Sequence, residues 1–143
     1  MKKMQDGESV LRIENLFVNQ IVFKNSGKKK DTKSSIKQDG FSPQIGFGMQ
    51  HSNIENNSFK ITLAIKVELK DTYILEFSLT GAFGITGDVN NKSNYLKKNA
   101  IAIMFPYLRT QLMLLTSQPG LTTVTLPVMN INNLFKEEFE WER

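Results

Sequence analysis

The chain of 143 residues contains no cysteine and a single histidine. The first absence excludes thiol catalysis, disulfide frameworks and cysteine-based zinc sites, and the second excludes any histidine pair as metal ligands. His51 stands beside Gln50 and Ser52 in polar sequence, without a nucleophile or orienting carboxylate near it, and reads as a solvated surface histidine. Long apolar runs are also missing, because nothing approaches the roughly 20 residues needed to cross a bilayer. The opening MKKMQDGESV has lysines but no apolar stretch behind them, so no secretory leader is expected. A cytoplasmic protein without direct membrane insertion follows as the expectation. Complete phosphate-binding motifs are lacking too. Gly46-Phe47-Gly48 and Gly81-Ala82-Phe83-Gly84 offer neither G-x-G-x-x-G nor a P-loop lysine, and read as turns and bulges. Glu137, Glu138, Glu140 and Glu142 form an acidic tail over 137–143, without the apolar enclosure that tunes a general acid. No catalytic residue, cofactor or metal site is therefore expected, and the chain does not read as an enzyme.

What is present begins with charge: 18 Lys+Arg against 14 Asp+Glu give +4. Six lysines between Lys24 and Lys37 (24, 28, 29, 30, 33 and 37) against Asp31 alone give +5, so the excess sits in one loop on a nearly neutral body. Such a loop can hold phosphates by counterion release. A nucleic-acid-binding module is the alternative of a different class, but strand-tracking binders add exposed aromatics or arginines. Here only Arg12, Arg109 and Arg143 exist, and most aromatics fall on core positions. No nucleic-acid partner is expected.

The length fits one domain over 1–143, with a flexible N-terminus over 1–9. From Val10 to Lys24, Leu11, Ile13, Phe17, Ile21 and Phe23 alternate with polar residues as in a half-buried strand, blurred by Leu16, Val18 and Val22. A lysine-rich crossover loop over 24–42 follows. Phe41, Ile45, Phe47 and Met49 then share one parity, with Pro43 near the start and glycines at 46 and 48, as in an edge strand. Phe59 to Lys70 alternates without a fault. Asp71-Thr72 reads as a two-residue turn, and Tyr73 to Thr80 resumes the alternation. GAFGITGDVNNKSN breaks it. From Ser93, Tyr95, Leu96, Ala100, Ile101, Met104, Leu108, Leu112 and Leu115 fall at helical spacing, with a kink or break expected at Pro106. SQPG ends that helix, LTTVTLPVM is extended, and Asn130 caps a short C-terminal helix. The sum is an α+β domain, a four-stranded antiparallel sheet with a long, kinked helix and a short one on one face.

Phe41, Pro43, Ile45, Phe47 and Met49 admit two readings. They complete the core under the helices, or they form an adaptable apolar groove that holds extended chains. Periodicity alone does not separate these.

The stretch from Asn99, NAIAIMFPYLRTQLMLLTSQPGLTTVTLPVMNINNLF, resembles the protein-export chaperone SecB. Phe105-Pro106-Tyr107 followed by Arg109 carries the likeness, supported by Asn130 to Phe135. Gly81-x-Phe83-x-Ile85-x-Gly87 and Phe41-Ser42-Pro43 are similar to the family's passage into its first helix and its Trp-x-Pro. The resemblance covers about residues 10 to 136 and implies a dimer of dimers that holds unfolded preproteins without ATP and delivers them to the SecA motor. It implies client binding at Phe41, Pro43, Ile45, Phe47 and Met49. It also implies a SecA-docking face at Gln20, Lys24, Ile74 and Glu76, where Gln20 and Lys24 replace acidic residues of export members. A SecB-like chaperone dedicated to the antitoxin of a toxin–antitoxin system is the alternative role.

Overall fold

A computed structural model describes residues 9–25, 43–90, 92–121 and 123–126. Its elements are β1 (Ser9–Asn25), β2 (Gln44–His51), β3 (Ser58–Leu69), β4 (Tyr73–Gly87) and α1 (Ser93–Thr116). The strands form one antiparallel sheet in the order β1-β4-β3-β2. The sheet and long helix agree with the architecture expected from the sequence. The short C-terminal helix, most of the crossover loop, the acidic tail and most of the N-terminus lie outside the described residues.

The alternation of β3 sends Phe59, Ile61, Leu63, Ile65, Val67 and Leu69 to one face, where all are buried. Their partners on β4 include Phe83, Leu79, Phe77, Leu75 and Tyr73, so two regular strands make the centre of the core. Helix α1 covers that face with Leu96, Ala100, Ile101, Met104, Phe105, Leu108 and Leu112. Tyr95 is not on this stripe; it is 64% exposed, and Lys97 takes the buried position instead. No break divides the helix at Pro106. Ala102, whose carbonyl loses its helical donor, is exposed, and so is Pro106, which leaves that carbonyl open to water. Thr116 ties the following segment to the core: its Oγ1 donates to the Leu112 carbonyl at 2.8 Å and accepts from the Val124 amide at 2.8 Å.

Three local readings change. First, β4 runs on to Gly87, so the glycines at 81 and 84 lie within a strand rather than in a turn. A Cβ on Gly81 would stand 2.7 Å from the Phe83 ring and 3.0 Å from the Met104 sulfur, and one on Gly84 would meet the Glu14 and Arg12 side chains. These glycines admit close packing. Second, the β3–β4 connection has three residues, Lys70, Asp71 and Thr72, closed by the Thr72 amide on the Leu69 carbonyl at 2.9 Å. Third, β2 and β3 also form a hairpin. Asn56 and Asn57 sit at φ 52° and 58° between Glu55 and Ser58, which exchange backbone hydrogen bonds at 2.9 and 3.0 Å. Asparagine tolerates that left-handed pair better than other side chains apart from glycine, as a tight two-residue hairpin requires.

Irregularities in β1 between Ile13 and Asn15 and between Val18 and Gln20 explain its blurred pattern. Each extra residue shifts the side-chain parity. Leu11, Ile13, Leu16, Val18, Ile21 and Phe23 consequently pair with helix-side positions of β4, whereas Phe17 pairs with Thr80 on the outer face.

Candidate functional site

The edge position of β2 follows from the strand order, since among the described residues only β3 lies beside it. Ile45, Phe47 and Met49 pair with Val67, Ile65 and Leu63, which puts them on the helix side. All three are half-buried and packed against the core without being sealed inside it. The Phe47 ring lies 6.4 Å from that of Phe105 on α1, so this edge-strand side chain packs against the helix. Pro43 is half-buried just before the strand, and Phe41 lies outside the described residues. Gly46 and Gly48 take the intervening positions and leave the outer face of this edge bare.

His51 ends the same strand and is not the solvated residue its polar neighbours suggest. It is half-buried, and its Nδ1 lies 2.8 Å from Nζ of Lys97, which is 0% exposed. An ammonium has no lone pair, so Lys97 donates and Nδ1 accepts. A lysine is rarely this buried without such a partner. One signal in the sequence did point to it: Lys97, Ile101, Met104 and Leu108 fall at helical spacing, so Lys97 belongs to the apolar stripe by position.

The opposite face of the sheet is polar. Lys24 pairs with Ile74, Gln20 with Ser78, and Glu76 with Val22 and Lys66, which brings Gln20, Lys24, Ile74 and Glu76 to one end of that face. Glu76 lies 3.8 Å from Lys66, both carrying exposed side chains. Gln20 and Glu76 border a shallow trough of about 340 Å³ over Gly46, Gly48, Ala64 and Ser78. Next to it, Thr80 Oγ1 joins Thr62 Oγ1 at 2.6 Å and also bonds the Asn19 amide.

The sequence pattern did not anticipate the exposure of β1, the other edge. Val10, Ile13, Phe17, Val18, Ile21 and Phe23 are 39–50% exposed. Ile21 and Phe23 border an apolar cleft of about 340 Å³ with Leu75, Leu115, Pro119 and Leu121. Among the described residues there is no cluster of three potential metal ligands, and no helix is long and apolar enough to cross a membrane. Most of the lysine-rich loop lies outside the described residues.

The family model described as preprotein translocase subunit SecB matches residues 4–142. No curated protein sequence matches the chain significantly. Among solved structures, it is similar to a SecB-like chaperone of Mycobacterium tuberculosis, solved in complex with a ChAD peptide from the HigA1 antitoxin. The TM-score is 0.63 at 12% identity, over 84% of this chain and 88% of that one. It is also similar to a protein of unknown function from Streptococcus agalactiae, with a TM-score of 0.50 at 15% identity over 85% of this chain and 100% of that one. At these identities the two structures speak for the fold.

Proposed function

The chain belongs to the SecB family, and from that premise we propose that it is an ATP-independent holdase that binds non-native polypeptides in an apolar groove along the β2 edge. The observation that carries this reading is the half-buried trio Ile45, Phe47 and Met49 on the helix side of an edge strand, with Phe47 against Phe105. Apolar side chains there accept apolar segments of many shapes, and an edge strand has backbone groups available to an extended chain.

The energetics explain why such a protein works as an assembly. At about 25 cal/mol per Å², burying 100–200 Å² of client apolar surface contributes roughly 3–5 kcal/mol before ordering costs. One groove therefore binds weakly, and grooves linked in one particle gain by effective concentration. A homotetramer built as a dimer of dimers meets that need, and the exposed apolar side chains of β1 support assembly through that edge. In this reading Phe41 and Pro43 extend the client site beyond β2, and Gln20, Lys24, Ile74 and Glu76 form a separate partner face on the outer side. With Lys24 in place of an acidic residue, that face suits export through SecA less well than the family's acidic one.

A dedicated antitoxin chaperone is the second reading, favoured by the similarity to a chaperone solved with an antitoxin peptide. Binding one antitoxin segment while ignoring generic unfolded chains would establish it over the first.

The test is the double variant Phe47→Ser with Met49→Ser, assayed by light scattering for suppression of aggregation of a heat-denatured client. We expect suppression to fall sharply at unchanged oligomer mass. Unchanged suppression would remove these residues from the client site.

A further inference from the structure

Strand β2 is the more regular of the two sheet edges. Its residues, QIGFGMQH, include no lysine, arginine, carboxylate or proline, and their register with β3 runs from Gln44 to His51 without a bulge. Charges, proline and bulges are the devices that keep edge strands from pairing, and β1 has two irregularities together with Arg12, Glu14 and Lys24. We propose that β2 takes an extended client segment as an antiparallel fifth strand, with large alternate side chains of the client lying over Gly46 and Gly48 and acidic residues at the client's C-terminal end. This rests on the holdase reading given above and specifies the client segment recognised.

The ladder sets which backbone groups such a segment meets. The Ser52 amide donates to the Lys60 carbonyl at 3.0 Å, and Ser52 continues the register one step past the pair of His51 and Ile61. Neighbouring residues of a strand direct their N–H and C=O groups to opposite sides, so Gln44, Gly46, Gly48 and Gln50 share the orientation of Ser52 and face β3. Ile45 and Met49 therefore direct theirs outward, and among the described residues neither makes a backbone hydrogen bond outside the ladder. Residues directly opposite each other in an antiparallel pair lie on the same face. Client residues bonded to Ile45 and Met49 thus place their side chains on the helix side, against half-buried apolar surface. The client residues opposite Gly46 and Gly48 fall on the outer face.

That outer face has room for large groups. A Cβ at Gly46 would meet nothing within 4 Å, and one at Gly48 meets Ala64 at an ordinary 3.7 Å. The trough of about 340 Å³ beside them is floored by Ala64 and Ser78. An aromatic side chain on an adjoining strand covers an edge glycine in this way. Charge sets the end at which acidic residues belong. The chain enters β2 from the stretch Lys24–Lys37, whose six lysines outnumber Asp31. Lys37 stands six residues before Pro43, within about 20 Å of it even along a fully extended chain. An antiparallel client brings its C-terminal end to this start of β2, where the lysines attract carboxylates.

The experiment uses labelled synthetic peptides and the full chain, with Kd read by fluorescence anisotropy. The parent peptide is Ser-Val-Phe-Val-Phe-Val-Asp-Asp, whose phenylalanines fall opposite Gly48 and Gly46 and whose first and last valines fall opposite Met49 and Ile45. N-methylation of those two valines blocks amides that point at β2 and should weaken binding at least roughly tenfold, the scale of one or two lost hydrogen bonds. N-methylation of the phenylalanines, whose amides point away from β2, should leave binding nearly unchanged. Moving both aspartates to the N-terminus should weaken binding severalfold, by a factor that shrinks as salt rises. Replacing both phenylalanines by alanine should weaken binding to the wild type. It should matter less in Gly48→Phe, checked for unchanged oligomer mass, because the protein's own ring then occupies the trough. Equal losses on methylating either set, or a loss at the phenylalanines alone, overturns the antiparallel strand. Equal affinity for the two aspartate placements overturns the acidic end, and an undiminished phenylalanine preference in Gly48→Phe overturns the glycine contact. A wild type that suppresses aggregation yet shows any of these results keeps the holdase reading. One that neither binds the parent peptide nor suppresses aggregation overturns both.

Discussion

Gly81 tests whether the core is packed as closely as the structure shows. Its missing side chain admits the Phe83 ring from the same strand and Met104 from α1. A Cβ built there lies 2.7 and 3.1 Å from two ring carbons and 3.0 Å from the sulfur. Carbon pairs are most favourable at about 3.5–4.0 Å, so the closest contact is nearly 1 Å too short. The ring cannot turn away freely, since it is buried and stacks on Phe59 at a centroid distance of 5.5 Å. Forcing a methyl group into such a site costs typically about 1–3 kcal/mol, and replacing glycine returns about 0.4–1 kcal/mol by restricting the unfolded chain. Gly81→Ala should therefore lose about 1–2 kcal/mol. With a urea slope of about 2 kcal/mol/M, the unfolding midpoint should drop by roughly 0.5–1 M at matched protein concentration. Gly46→Ala is the control, because its Cβ meets nothing within 4 Å. It should leave the midpoint unchanged or raise it. A Gly81→Ala midpoint at or above that of the wild type would refute the packing argument, and Phe83→Leu should recover part of the loss if the ring is the obstacle.

Two further outcomes are expected. Burial raises the Tyr73 phenol above its ordinary value of about 10. Below pH 10 both folded and unfolded chains keep this proton; above it the unfolded chain releases it first, so stability should fall as pH rises from about 10 toward the folded value. Tyr73→Phe should flatten that alkaline decline in urea titrations, and an equal slope would show that Tyr73 is not its source. In the proposed assembly, Ile21→Lys should place a charge in an apolar interface and weaken association at least about tenfold. Mass by light scattering at micromolar concentration should drop, and an unchanged mass would exclude the β1 edge as the contact.

The parts of the fold readable from sequence are those whose information is local. Phe59 to Lys70 and Tyr73 to Thr80 declare themselves because each strand has one buried face and no irregularity. The helix shows its stripe despite Pro106, since proline falls on the exposed side. β1 is harder to read because two irregularities shift its parity, and their positions are set by pairing with β4. The glycines of β4 resemble a turn signal until Phe83 and Met104 are seen in the space they leave. His51 misleads for the same reason: its sequence neighbours are polar, while its partner lies 46 residues away on the helix.

By itself the sequence determined the absence of thiol chemistry, the alternation that builds a four-stranded sheet, the covering helix and the likeness to SecB. It also gathered Ile45, Phe47 and Met49 on one side of a strand. Only the tertiary structure decided which strands are edges, that these three side chains lie half-buried with Phe47 against Phe105, and that Lys97 reaches His51. Side-chain parity and helical spacing are properties of adjacent residues, whereas strand order, edge exposure and a buried lysine's partner arise from contacts between segments that the chain brings together only on folding.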